Sequence, residues 1–397
     1  MFSLRNKLDD NLKAAIDSNT YKNYRVIIHC KNLQDAAEKK VKAYRGEVIR
    51  SISSIGCFSA NISSRVINKL IEYPQVSYIT FDDFAFLCGN SILTSNKVTS
   101  TMKHNYTGKG ICIGVVDSGV YPHPDLINSG SKIRGFVDLL SGLNYPYDDN
   151  GHGTFICGLL SANGNSSKSA YKGIAEDAEI YVIKAFNAQG RGYISDILFA
   201  IEKLILESVN FNIRVLCLPF ELTTYNSFIL SQFSLLFNMA AEKNIIIVVP
   251  SGNNGIAESS LRGIAVLHNC ITVGGLDTRG SIDVYKYSSS GPCGKPEKPD
   301  LSAGCVDIAS LNSDTSYISE KNGVRLYAKK LVKPYVSYTG TSCAAAYISG
   351  VCALLLEKNS NLTYKDVLSL LKMNCILTKI PSRIQGAGMI DLGKLLE

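Results

Sequence analysis

ICIGVVD, residues 111–117, runs through apolar and small side chains without a polar break and ends on a carboxylate. Such a run reads as a buried strand. The pattern returns at Ile180–Lys184, Val215–Leu218 and Ile245–Val249. Longer stretches with a helical character lie between these runs, at His152–Ala162, Ser195–Ser208 and Ser231–Lys243. Strands alternating with helices imply an α/β fold, a parallel sheet with helices on both faces. In such sheets sites form beyond the carboxyl ends of the strands, and Asp117 and Asn253 both fall there.

Upstream the pattern changes. Residues 25–29 read as a strand, 33–44 as a helix, and 46–52 and 58–62 as two more strands. Residues 64–72 read as a helix with Val66, Ile67 and Leu70 on one face, and 76–81 as a fourth strand. This β-α-β-β-α-β order fits a small ferredoxin-like α+β unit. The expected organisation is a polar lead-in over 1–20, the small domain over 21–87, a linker over 88–107, and the α/β domain over 108–397.

The composition agrees with folded domains. Of the 397 residues, 46% are hydrophobic and 19% charged, which supports a buried core rather than disorder. No apolar run reaches the length of a membrane-spanning helix. The first residues lack the apolar core of a secretory signal, so the expectation is a cytoplasmic protein. The twelve cysteines form no CxxC pair, and Cys112, Cys157, Cys217 and Cys352 sit inside apolar runs. They read as reduced core residues. The net charge of +7 is spread without a dense basic block, so neither nucleic acid nor a membrane is an expected partner. No phosphate-binding glycine motif follows a strand, which excludes a nucleotide-binding domain.

Three polar residues stand out. Asp117 ends a buried strand, where a carboxylate is costly without a partner. His152 lies in DDNGHGTFICGLLSA, with a glycine on each side and Thr154 placed to help cap the apolar helix that follows. Ser342 lies in YTGTSCAAAYISGVCALLLEK, where small residues open an apolar helix. A hydroxyl at a helix N-terminus sits where the dipole and free N–H groups favour a developing oxyanion. Acyl transfer by serine needs this set: a nucleophile, a base to take its proton and an acid to orient the base.

On these motifs the chain resembles the subtilases, and the order Asp, His, Ser is that of the subtilisin triad. VVDSGVYPHPDL, NGHGT and GTSCAAA match the three signatures of the family. SGNNG, residues 251–255, matches its oxyanion region, and KPDLSAG at 298–304 also fits. YPYDDNGHGT and YKGIAEDAEIYVIKAF are similar to the intracellular, alkaline-type branch. The resemblance implies a serine endopeptidase acting on protein or peptide substrates through an acyl-enzyme, with no cofactor required. It assigns Ser342 as nucleophile, His152 as base, Asp117 as its orienting acid, and the Asn253 side chain as oxyanion donor. It also implies that the small unit is a propeptide, an intramolecular chaperone and inhibitor, cut by the enzyme itself between about Phe86 and Leu93.

Departures from the family pattern bear on the substrate cleft and on metal. In RVLCLPFEL, residues Pro219, Phe220 and Glu221 stand where the family has a Ser-Leu-Gly stretch bordering the primary pocket. Ser251 and Gly252 complete the expected substrate-binding set. Pro219 cannot donate an N–H, and Glu221 adds a carboxylate where glycine leaves space. Either the pocket is narrowed or Glu221 favours a basic substrate residue, unless the Glu221 side chain points to solvent. Asp125, Asn163 and Asn165 correspond to a structural calcium site of relatives, although Lys168 and few carboxylates lie in the same loop. Residues 323–333 read as an added surface loop. A competing reading is a subtilase-fold binding or signalling protein with little turnover; the intact triad and Asn253 argue against it.

Overall fold

The structure is a computed structural model that describes residues 4–52, 56–82, 90–98, 105–128, 130–222, 227–291 and 297–397. The chain forms two compact units, Met1–Cys88 and Gly89–Glu397.

The first unit comprises α1 (Asp10–Asp17), β1 (Tyr24–Cys30), α2 (Gln34–Ala43), β2 (Glu47–Ile52), β3 (Cys57–Ile62), α3 (Ser64–Leu70) and β4 (Val76–Phe81). Its sheet has the order β2-β3-β1-β4 with antiparallel neighbours, the ferredoxin-like arrangement. Val26 and Ile28 of β1 are fully buried, and their partners across the sheet include Ala60, Phe58 and Ile79, also buried. Residues 8–16, within the span read from the sequence as a polar lead-in, are part of this core. Asp9 caps α1 by accepting from the Leu12 N–H, and Leu8, Leu12 and Ile16 pack into the cluster that contains Val26 and Ile79. Leu12 and Ile16, spaced by four, share one face of α1, while Leu8 precedes the helix and bridges to Ile79.

The second unit begins with β5 (Asn90–Ser91) and α4 (Ile92–Ser95), then β6 (Cys112–Asp117), α5 (Pro124–Ile127), β7 (Ile133–Asp138), α6 (His152–Ser161), β8 (Glu179–Lys184), α7 (Ile194–Phe211), β9 (Ile213–Cys217), α8 (Ser227–Glu242) and β10 (Ile246–Pro250). β11 (Ile271–Asp277), β12 (Asp283–Val284), β13 (Leu301–Gly304), β14 (Ile308–Leu311), β15 (Glu320–Lys321), β16 (Val324–Arg325), β17 (Tyr335–Tyr338) and α9 (Thr341–Lys358) follow. The chain closes with α10 (Tyr364–Met373), β18 (Cys375–Ile376), α11 (Ser382–Gln385), β19 (Met389–Ile390) and α12 (Leu392–Leu396).

The central sheet runs β18-β19-β13-β11-β10-β9-β6-β8-β7, parallel from β19 through β7. Its inner strands are buried on both faces, and successive residues enter different cores. Ile113 and Val115 of β6 join α6 and α9 residues in one cluster, while Cys112 and Val116 join α7 and α8 residues in the other. β10 divides likewise, with Ile246 and Val248 on one face and Ile247 and Val249 on the other. Residues 323–333 include β16 of the short β15–β16 hairpin and continue as an exposed stretch, tied down by the Tyr121 hydroxyl donating to the Lys329 carbonyl.

Residues 90–98, expected within a linker, belong to the second unit. β5 pairs in parallel with β14, Ile92 is buried in the core, and Asn96 accepts from the Gly304 N–H while donating to the Ile92 carbonyl. The remainder of the expected cleavage span, residues 86–89, lies outside the described residues. No helix among the described residues is long and apolar enough to cross a membrane.

Because Leu12 is fully buried, Leu12→Ala is expected to weaken the first unit by about 2–5 kcal/mol. Hydrogen exchange of the β1 and β3 amides in the full chain checks this. Unchanged protection would return α1 to the status of a loose lead-in.

Candidate active site

The carboxyl edge of the parallel sheet gathers the polar residues singled out above. Asp117 is the last residue of β6 and is almost fully buried. Both of its carboxylate oxygens lie 2.9 Å from His152 Nδ1, and Oδ1 accepts from the Ser118 N–H at 2.7 Å. A carboxylate only accepts, so Nδ1 carries the proton and Nε2 is left as the basic nitrogen.

His152 is the first residue of α6, and its position depends on a group that the sequence reading passed over. Asp148 is fully buried and accepts from the N–H groups of Asn150, Gly151 and Thr154 and from the hydroxyls of Ser118 and Thr154. The Ser118 hydroxyl in turn accepts from the Gly153 N–H, and Thr154 Oγ1 from the Tyr121 N–H. Thr154 thus acts through Asp148 rather than as the helix cap itself. The two segments approach so closely that a Cβ on Gly153 would lie 2.1 Å from the Gly119 carbonyl oxygen. Lys184 is buried beside this network and donates to Asp149, to the Ser118 carbonyl and to the Phe186 carbonyl. The local signal for Asp148 is the carboxylate pair Asp148-Asp149 just before a helix start, which by itself reads only as a loop.

Burial opposes charge on His152, but the Asp117 carboxylate, its hydrogen bond and the Asp148 charge outweigh it. The net effect raises the imidazolium pKa above its usual value.

Ser342 is the second residue of α9, in the first turn, with Gly340 as N-cap. Its hydroxyl donates to the Pro219 carbonyl at 3.0 Å rather than to His152. Asn253 lies beyond the end of β10. Its Oδ1 accepts from the Thr341 N–H at 3.2 Å and lies 3.4 Å from Thr341 Oγ1, so the amide is oriented and Nδ2 is left as a donor.

Asp117, His152, Ser342 and Asn253 line one cleft of about 400 Å³ together with Pro219, Phe220, Glu221 and Gly252. The Phe220 ring packs on Phe186 at 5.3 Å between centroids. Glu221 turns toward the Gly252–Asn254 segment, where Oε2 accepts from the Asn253 N–H and the Asn254 side-chain amide. Ser251, expected to bind substrate, is buried behind the wall instead. Its N–H donates to the Val273 carbonyl and its hydroxyl lies 3.2 Å from that of Ser288.

The expected calcium ligands do not form an oxygen cage. Asp125 Oδ1 accepts from the Ser166 N–H and Oδ2 from the Tyr335 hydroxyl at 2.5 Å. Asn163 Oδ1 accepts from the Asn165 N–H, and its amide donates to the Asn128 carbonyl. Both Asp125 oxygens thus already accept from protein donors, whereas a calcium site gathers six to eight oxygens, waters included. No cluster of three or more His, Cys, Asp or Glu suited to a metal occurs among the described residues. His123, read as a structural histidine, is fully buried, accepts from the Asp125 N–H and bonds the Pro334 carbonyl.

Residues 108–388 match the subtilase family, Peptidase S8, and the chain belongs to that family. It is a subtilisin-like serine endopeptidase. It is 32% identical over 379 residues to the serine protease AprX of Bacillus subtilis (strain 168), covering 91% of this chain and 84% of that protein. An alkaline protease of Alkalihalobacillus alcalophilus is 25% identical over 348 residues, covering 87% and 80%. Among solved structures, the S41 psychrophilic protease superposes with a TM-score of 0.62 at 23% identity, covering 77% of this chain and 99% of its own. Sphericase gives 0.60 at 24% identity, covering 74% and 91%. At these identities the two structures establish the shared fold.

A base must be neutral to act, so activity should rise with pH through the raised His152 pKa and disappear below it. Asp148→Asn removes a charge that favours the imidazolium. The acid limb of the kcat/KM profile should therefore move to lower pH, with kcat falling by up to about 10²-fold as His152 loses its support. An unmoved acid limb would mean that Asp148 acts on folding alone.

Proposed function

We propose that the chain hydrolyses peptide bonds through an acyl-enzyme on Ser342 and is made as a self-cleaving zymogen. The observation that carries the reading is the bidentate approach of Asp117 to His152 Nδ1, which leaves Nε2 basic in a cleft shared with Ser342 and Asn253. Rotation of Ser342 about χ1 moves its hydroxyl from the Pro219 carbonyl toward His152 Nε2 and frees that carbonyl for a substrate N–H. Ser342 Oγ attacks the scissile carbonyl carbon as His152 takes the hydroxyl proton. Asp117 stabilises the imidazolium that forms. The Asn253 amide and the Ser342 N–H, at the positive end of α9, receive the oxyanion. Collapse of the tetrahedral intermediate breaks the C–N bond, and His152 delivers the proton to the leaving amine. Water then repeats the sequence on the ester. Asn253→Ala should lower kcat by about 10²–10³-fold, the scale set by loss of the equivalent donor in subtilisin.

In this reading the first unit is the propeptide. Its ferredoxin-like topology supports the assignment, as does the start of the second unit at β5, with Ile92 already in the larger core. A reducing compartment fits the ten cysteines among the described residues, all of them unbridged.

Intact mass spectrometry over hours on the full chain beside Ser342→Ala tests the proposal. The wild type should lose the chain up to a residue between 86 and 93, and the variant should stay whole. If both stay whole and a fluorophosphonate fails to label Ser342, the binding-protein reading takes over.

With both Asp125 oxygens accepting from protein donors, we read the Asp125 site as not depending on calcium. Chelation should shift the wild-type Tm by no more than about 1 °C. A larger drop, restored by added Ca²⁺, would overturn this.

A further inference from the structure

We infer that Glu221 makes the cleft selective for a lysine or arginine as the substrate residue whose carbonyl is attacked, an inference that rests on the endopeptidase reading above. Glu221 links the two walls of the cleft. It lies on the Pro219–Glu221 segment and reaches the opposite segment through Oε2, which accepts from the Asn253 N–H at 3.1 Å and the Asn254 amide at 3.3 Å. That wall makes room for it: Gly252 has φ +99° and no side chain, and a Cβ there would stand 2.5 Å from Oε2.

The chemistry at this point is unbalanced. Neutral N–H donors orient a carboxylate without neutralising it, and the residues lining the cleft include no lysine or arginine. The other cleft carboxylate, Asp117, already faces His152. The negative charge of Glu221 is exposed and has no cationic partner among the described residues, so it is free to pair with a cation brought by the substrate.

Geometry decides which substrate residue supplies it. Glu221 is bonded to the backbone of Asn253, the residue whose side-chain amide is assigned to the attacked carbonyl. The side chain nearest Glu221 is therefore that of the residue bearing this carbonyl. A lysine or arginine there brings a cation to Glu221, while its apolar stem can lie along the wall that carries Phe220.

The test uses the full chain and peptide substrates that differ only at this residue: arginine, citrulline or leucine. Citrulline keeps the shape of arginine and removes its charge. Arginine is expected to exceed both in kcat/KM by about tenfold or more. In Glu221→Gln the arginine-to-citrulline ratio should collapse toward one. Equal ratios in wild type and variant, or faster cleavage of every peptide by the variant, would overturn the inference and leave Glu221 as a loop brace. A second measurement needs no variant. A peptidyl-arginine aldehyde should protect Ser342 from fluorophosphonate at lower concentration than its leucine counterpart; equal protection counts against the inference. Labelling of Ser342 without any arginine preference refutes this inference alone, whereas absent labelling and absent cleavage refute the endopeptidase reading.

Discussion

A carboxylate with no cation bonded to it holds the site together. Asp148 is fully buried and spends its charge on five donors, three backbone N–H groups and two hydroxyls, drawn from the turn after β6 and the start of α6. A buried charge without partners would cost many kcal/mol, so the chain can close around Asp148 only where those donors converge. That requirement fixes the spacing between Asp117 and His152. It also explains why Gly119 and Gly153 lie in contact, since any side chain at either position would separate the segments that Asp148 joins.

The parallel sheet supplies the rest of the placement. Strands buried on both faces cannot shift register by one residue without exchanging the side chains of the two cores. The ends of β6 and β10 are therefore fixed relative to α6 and α9, which pack on one face of the sheet. Functional groups sit where the strands stop: Asp117 on a strand end, Asn253 just past one, and His152 and Ser342 in first turns of helices. Asn253, the one of the four in a loop, is tied to the start of α9 by the Thr341 N–H.

Much of this could be read from residues in isolation. Continuous apolar runs marked β6, β8, β9 and β10, and glycine-flanked polar residues marked the cleft. What escaped depended on partners far away in the chain. β7 is half-buried at the sheet edge and interrupted by Arg134 and Gly135, so it carries no continuous apolar run. β5 is held by β14, more than two hundred residues on, and nothing in residues 90–98 announces that pairing. α1 hid behind its composition: Leu12 and Ile16 are spaced for one face but sit among charged residues. Calcium occupancy is hidden from the sequence for a related reason. Asp125 occupies the expected position, but whether its oxygens are free depends on Tyr335, which sits 210 residues away and donates to it.

The cleft also contrasts two ways of holding a carboxylate. Asp148 is surrounded by donors and withdrawn from solvent, so it acts only on the protein. Glu221 has the same chemical group, bonded through one oxygen to the Asn253 N–H and the Asn254 amide, and it stays exposed at the cleft wall. Burial thus separates a carboxylate that positions the catalytic base from one whose charge remains available to a ligand. The Glu221 carboxylate accepts from the Asn253 N–H, so this exposed charge is tied to a residue that lines the same cleft.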